Sequence, residues 1–207
     1  MARRAFVSVA AVAAAFTVAG CAERLPPTPL AQAARRGDVP QIDRLVAAGA
    51  DVNEPANRKH WTPIVHAIHK RRKAAVVRLL EHGASLDGPP GRIALRMASG
   101  YGQPEIVRIL LARRVEIPRT DGGAGALMTV AVGGAWDFDY EWSGCERHTE
   151  VVRMLLAHEP SLRSHLPNRL KRFPYSLASA VGTVARVYSV WFVRQQGCDE
   201  LIRLMDR

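Results

Sequence analysis

The chain has 207 residues, 48% of them hydrophobic and 23% charged, with 29 Lys and Arg against 19 Asp and Glu for a formal charge of +10. This composition is globular rather than disordered, and the length suffices for one sizeable core or for a linear stack that buries its core unit by unit. The cation excess favours anionic partners or surfaces without bearing on fold. Three cysteines with no C-x-x-C and no His/Cys cluster argue against a structural metal.

At the N-terminus, Arg3 and Arg4 precede an apolar run from Ala5 to Gly20, short for a spanning helix of about 20 residues. A basic start, a short apolar stretch and small residues before a break describe a secretory signal over residues 1–20. The break, Val18-Ala19-Gly20-Cys21, resembles the lipobox of bacterial lipoproteins. That resemblance implies cleavage before Cys21 and acylation of its thiol. Several acyl chains, at about 0.8 kcal/mol per buried CH₂, would hold the protein on a membrane. Ala22 rather than Asp follows the cysteine, which in that family's pattern points to the outer membrane, facing the periplasm. A plain secreted protein with an incidental Cys21 is the alternative. Cleavage removes Arg3 and Arg4 and no acid, so the mature chain stays basic. Residues 21–27, the lipidated Cys and its tether, end in two prolines that stiffen the chain.

From Thr28 onward one pattern recurs. Thr28-Pro29-Leu30 opens a first copy and Thr62-Pro63-Ile64 a second, 34 residues later. The copies close on Ile42, Leu45, Val46 before Gly49-Ala50-Asp51-Val52-Asn53, and on Val76, Leu79, Leu80 before Gly83-Ala84-Ser85-Leu86-Asp87. A fixed period in the 30s marks a stacked repeat array. Further starts fall at Ile93, Gly125 and Phe173, and nine residues after each start stands Gly37, Arg71, Gly102, Gly134 or Gly182. Glycine suits a left-handed turn that ends a helix, so Arg71 costs the second copy some stability. Val107/Leu110/Leu111, Val152/Leu155/Leu156 and Leu201/Leu204/Met205 repeat the i, i+3, i+4 stripe of a buried helix face.

The pattern resembles the ankyrin repeat, with its T-P-L-H-x-A helix start and G-A-D-V-N-like hairpin. The resemblance implies an all-α solenoid of about five helix-turn-helix repeats, near 28–61, 62–92, 93–124, 125–172 and 173–207. Val65 replaces the family histidine, with His66 one place late, and Arg113-Arg114 and His158-Glu159 lack the hairpin glycine. Those two hairpins are expected to deviate from family geometry.

In the first three repeats the closing apolar doublet begins 17 residues after the start, but in the fourth it begins 30 after and in the fifth 31 after. The extra residues are expected between the two helices, after Gly134 and after Gly182. The first insertion carries Trp136-Asp137-Phe138-Asp139-Tyr140-Glu141-Trp142, and the second runs from Thr183 to Gln196 with Tyr188, Trp191 and Phe192. Aromatics bury large area at little rotamer cost, so the first segment is a candidate partner contact. The second reads equally as a lengthened helix packed beneath it. With Cys21 acylated, Cys145 and Cys198 remain an even pair. A disulfide between the fourth and fifth repeats fits an oxidising compartment, and two buried free thiols fit the same sequence.

No constellation for catalysis stands out. Asp137, Asp139 and Glu141 alternate as in calcium loops but lack the glycine turn and the distal glutamate. His66 and His69 at i, i+3 have no evident third metal ligand. Trp142-Ser143-Gly144 lacks the outer glycines of a nucleophile elbow. No enzyme activity, metal or cofactor is expected. The runs Lys70-Arg71-Arg72-Lys73 and Arg169-Leu170-Lys171-Arg172 read as hydrated faces or as contacts for anionic lipid; export argues against nucleic acid.

The sequence therefore predicts a monomeric, membrane-anchored periplasmic ankyrin lipoprotein that binds another protein. The resemblance implies a concave surface of hairpin tips and first helices, with Arg58, Trp61 and Arg92 at the tips, supplemented by Trp136–Trp142. Some bacterial ankyrin lipoproteins are immunity proteins, so neutralisation of a toxin or enzyme is the expected role, by analogy of address and fold. The alternatives are a structural envelope protein gripping anionic lipid or polymer through its basic patches and, least favoured, a hydrolase.

Overall fold

The computed structural model describes residues 28–56, 61–117, 121–134, 143–166 and 193–206, and among these every regular element is helical. The helices are α1 (Pro29–Arg36), α2 (Val39–Ala47), α3 (Pro63–His69), α4 (Lys73–Glu81), α5 (Pro89–Gly100), α6 (Pro104–Ala112), α7 (Asp121–Gly133), α8 (Cys145–His158) and α9 (Asp199–Asp206), with a 3-10 turn at Pro160–His165 between the last two. They form two layers. The first helices stack in sequence, α1 on α3 on α5 on α7, and each packs against its own second helix, α2, α4, α6 or α8. In the second layer α2 lies against α4, α6 against α8, and α8 against α9. This is the expected all-α solenoid.

Residue size explains the layering. The first helices carry Ala31, Ala33, Ala34, Ala67, Ala94, Ala98 and Ala131, all fully buried, so their backbones approach closely. The second helices supply the larger stripe: Ile42, Val76, Leu79, Val107, Leu110, Val151, Val152 and Leu155 are also fully buried. Each such aliphatic side chain contributes about 1.5–3 kcal/mol of burial, most of it realised only once a neighbouring repeat covers the stripe.

The turn joining the helices of a pair has one geometry throughout. Gly37, Arg71, Gly102 and Gly134 all take positive φ, at 78°, 57°, 55° and 86°. Asp38 N–H donates to the Ala33 carbonyl at 3.0 Å, and Arg72 and Gln103 repeat that bond to Ala67 (2.8 Å) and Ala98 (2.9 Å). These bonds satisfy the carbonyls left open at a helix end. Arg71 keeps the geometry without being glycine, at the steric cost of a left-handed L-residue.

Structure and expectation part at four places. The third hairpin does not deviate. Arg114 adopts φ 56° where Gly49 and Gly83 have 91° and 87°, and Val115 N–H reaches the Leu110 carbonyl at 3.3 Å as Ala84 reaches Leu79 at 2.9 Å. The fourth hairpin does depart: Glu159 is extended at φ −137° and a 3-10 turn follows. Helices α5 and α7 begin at Pro89 and Asp121, about one turn before the template starts at Ile93 and Gly125. For α5 the cause is local. Gly88 turns the chain at φ 62°, and Pro89 and Pro90 hold φ ready for a helix. The absent Cβ of Gly91 lets the Leu86 carbonyl lie against the helix. Arg92 thus sits inside α5 rather than on a hairpin tip.

The fourth difference concerns the insertions. Helix α8 has 14 residues where α2, α4 and α6 have nine, so part of the first insertion is absorbed as an extra helical turn. The turn before α9 is at Gly197 (φ 68°); Gly182, where the sequence places a turn, lies outside the described residues. Cys198 N–H donates to Val193 O at 3.3 Å and Asp199 N–H to Gly197 O at 3.0 Å, as Asp38 and Val39 do around Gly37. Cys145 and Cys198 are joined by a disulfide with 5.2 Å between Cα atoms, which ties the start of α8 to the start of α9.

Polar contacts bridge successive repeats. Asp43 on α2 accepts from Arg78 Nε (2.6 Å) and Nη2 (3.0 Å) on α4, and His82 Nε2 lies 2.7 Å from the same carboxylate. Arg108 pairs with Glu150 at 2.9 Å, and Arg153 pairs with Glu200. Between hairpins, Asn53 Oδ1 accepts from Ser85 N–H at 2.7 Å. Between first-layer ends, Gln103 Nε2 donates to the Ile68 carbonyl at 3.0 Å.

Replacing Arg114 by glycine removes left-handed strain of about 1–2 kcal/mol, partly offset by a looser unfolded chain, for a net gain of about 0.5–1 kcal/mol. Gly83→Ala, with no atom within 4 Å to crowd the new Cβ, should lose about 1 kcal/mol from backbone strain alone. Urea melts showing the same sign for both variants would contradict the shared turn geometry.

The hydrogen bonds from Arg78 and then His82 hold the Asp43 carboxyl down at about 2. A carboxyl depressed in the folded state contributes stability that is present above about pH 4 and lost as pH falls toward 2. Asp43→Asn should flatten the stability–pH profile in that window and leave its slope above about pH 5 unchanged. An identical acid limb in the variant would refute the clamp.

Candidate protein-binding surface at the interhelix edge

The first two interhelix turns touch. Arg35 and Arg36 close α1, Lys70 caps α3, Arg71 occupies the left-handed turn, Arg72 stands at the N-cap of α4 and Lys73 is its first residue. The stem of Arg72 lies across Gly37, its Cδ 3.0 Å from where a Cβ would stand. Its Nε donates to the Arg35 carbonyl at 3.2 Å. Asp38, the acid of these two turns, accepts from Gln41 N–H at 3.0 Å as the α2 cap. Helix α4 has no acid in its first turn, so cations stand at the positive end of a helix dipole, where they are disfavoured.

Behind this edge runs a row of rings. Trp61, half-buried, packs on His66 (5.4 Å between centroids) and His69 (5.1 Å), and His69 lies 5.7 Å from Tyr101. The Arg71 guanidinium carbon is 5.8 Å from the centre of the Tyr101 ring, within reach of a cation–π attraction that orients the guanidinium. Tyr101 is only 2% exposed, so its position is fixed by the core.

The third turn meets the start of α8 at Gly102. Any side chain there would collide with Ser143 Oγ and press on the His148 ring. His148 is buried, with Nδ1 2.8 Å from the Ala131 carbonyl. A carbonyl only accepts, so the ring carries its proton on Nδ1. Burial is the main force pushing this histidine down to about 4; the Ala131 bond opposes it and the Arg71 charge adds to it. Near neutral pH His148 is therefore an uncharged core group. Arg147 also reaches back to the Gly102 carbonyl at 3.3 Å.

Of the residues singled out from sequence, Lys70, Arg71, Arg72 and Lys73 lie on this edge and Trp61 lies behind it. Arg92 is bound to Glu116 at 2.7 Å. Cys21, Arg58, the segment 136–142, Arg169, Lys171 and Arg172 lie outside the described residues. Among the described residues no three His, Cys, Asp or Glu side chains converge as a metal site, and no helix is long and apolar enough to cross a membrane. Sequence reading missed Arg35, Arg36, Tyr101 and His148. For the first two a signal existed, since they occupy the template positions of His69 and Lys70.

Stacked helix pairs joined by left-handed turns and hairpins form a repeat array. Residues 27–121 match the family model for ankyrin repeats in three copies. A crystallographic ankyrin repeat domain from Acinetobacter baumannii AYE is similar in fold, with a TM-score of 0.56 and 20% identity over 95% of this chain and 89% of that one. No curated protein matches the sequence. Ankyrin repeats generally mediate contact between proteins and are typically non-enzymatic, and no catalytic family is indicated.

Proposed function

We propose that this chain is a lipoprotein of the cell envelope, anchored at Cys21 in the outer membrane and facing the periplasm. Its ankyrin stack binds a protein there, and neutralisation of a toxin or enzyme is the role that best suits address and fold together. The observation that carries the reading is the division of the three cysteines. Cys145 and Cys198 are paired in a disulfide, which suits an oxidising compartment, and this leaves Cys21 as the one thiol, standing at the lipobox-like Val18-Ala19-Gly20-Cys21. A stack already ordered before docking loses little entropy on binding, which favours recognition by a rigid surface.

The test is expression of the full chain in a Gram-negative host fed an alkyne fatty acid, followed by envelope fractionation. The chain should take up the label, lose residues 1–20 and sediment with outer membrane, and Cys21→Ser should abolish labelling and release the chain. Cross-linking on intact cells should then yield one dominant protein adduct in both the presence and absence of Mg²⁺. A cytosolic chain with its leader intact would refute the address, and a correctly anchored chain that cross-links only to lipid would refute the protein-binding role.

A further inference from the structure

We infer that His148 makes the seam around it an acid-sensitive joint: when the ring takes up a second proton, the start of α8 parts from the third interhelix turn and from the end of α7, uncovering that turn. The inference is independent of lipidation and of which protein the stack binds. Three elements meet at this ring. It projects from α8, its Nδ1 donates to the Ala131 carbonyl at 2.8 Å in the last turn of α7, and the Gly102 backbone lies against it from the third turn. A Cβ on Gly102 would stand 3.0 Å from Nε2 and 2.0 Å from Ser143 Oγ, which leaves no room for a water at that contact. His148 itself has no exposed surface. A charge on the ring could be solvated only after the turn and the helix move apart, so the joint closes on the neutral form.

The ionisable groups on the surrounding elements fit this reading. Arg71, on the second turn, repels a proton on the ring. Tyr101, beside Gly102, holds the His69 ring at 5.7 Å, and Arg96 on α5 is exposed. Arg147 lies 3.9 Å from Glu105 of α6. Arg108 on α6 and Glu200 on α9 are paired with Glu150 and Arg153 of α8. Helix α7 has one ionisable residue, Asp121, at the end opposite Ala131, and the 3-10 turn brings Arg163 and His165. Burial first, with the Arg71 charge, holds the ring near 4 against the pull of the Ala131 carbonyl. A histidine depressed in the closed joint gives stability that is complete above its ordinary 6.5 and is lost as pH falls toward 4. Across that window the ratio of closed to open joint falls by up to about tenfold per pH unit.

The experiment uses the full chain purified in detergent, with histidine ring shifts followed by NMR and native-state hydrogen exchange corrected for intrinsic rates. The His148 ring should titrate far below the exposed His158. The Gln103 amide and the amides in the first half of α8 should exchange roughly twentyfold faster at about pH 5 than at about pH 7. Amides of α1 and α2 should change by less than about twofold over the same range. His148→Asn places an amide nitrogen near the Nδ1 position and cannot take up the proton, so its exchange at these sites should be independent of pH. A His148 midpoint near its ordinary value would overturn the joint, and so would the same acceleration in His148→Asn. Acceleration shared equally by α1 and α2 would be global unfolding and would overturn it as well. If the asparagine variant does not fold, the ring titration and the exchange map of the unaltered chain decide between these outcomes.

Discussion

No helix pair in this chain can cover its own apolar stripe, and the rest of the structure follows from that constraint. The alanines on the first helices bring α1, α3, α5 and α7 close enough to share one core, and Ile64, Ile68 and Leu95 fill it with no exposed surface. Close approach then has to be kept in register. The left-handed turns do this by repeating a positive φ at Gly37, Arg71, Gly102 and Gly134, and bonds such as Gln103 to the Ile68 carbonyl tie one turn to the next. The last pair is secured differently. Among the described residues α9 packs on α8, with Leu201 and Met205 buried and Cys198 bonded to Cys145. By the chain-entropy account, closing a loop of 53 residues stabilises the folded state by about 4 kcal/mol.

The same constraint sets where function can sit. Residues facing a neighbour are committed to packing, so the turns, the hairpins and the outer faces remain. Two of the turns carry a cationic row at odds with the local rules of helix ends, while the neighbouring turn at Gly102 is closed over by Ser143 and His148. The edge therefore changes character along the stack, from charged at the first two turns to closely packed at the third.

Much of this was legible in the sequence because the relevant signals are local. The 34-residue spacing of Thr28 and Thr62, the apolar doublets and the turn residue nine places on each follow from short-range geometry, and even the strain at Arg71 could be read from its place in the series. Failures came where one position answers to two demands. Arg114 was expected to spoil its hairpin, but the bonds from Val115 to Leu110 and from Arg114 to Leu111 hold the turn despite its side chain. The starts at Ile93 and Gly125 were late because a Pro-Pro pair and a glycine-rich stretch read as turns until they are seen inside helices. Gly197 also fits a turn, and the bonds around it identify one there. The contact of Arg71 with Tyr101 joins residues 30 apart and leaves no mark in either local pattern.

The central claim is that the first helices form one cooperative core rather than a row of independent pairs. Native-state hydrogen exchange on the full chain, with and without Leu95→Ala, tests it most directly. Leu95 lies in the middle of that core and is fully buried on α5, and its truncation should cost about 2–5 kcal/mol. The account predicts that amides of α3 and α7 lose protection together with those of α5, by similar factors. Faster exchange confined to α5, with both neighbours unchanged, would contradict it.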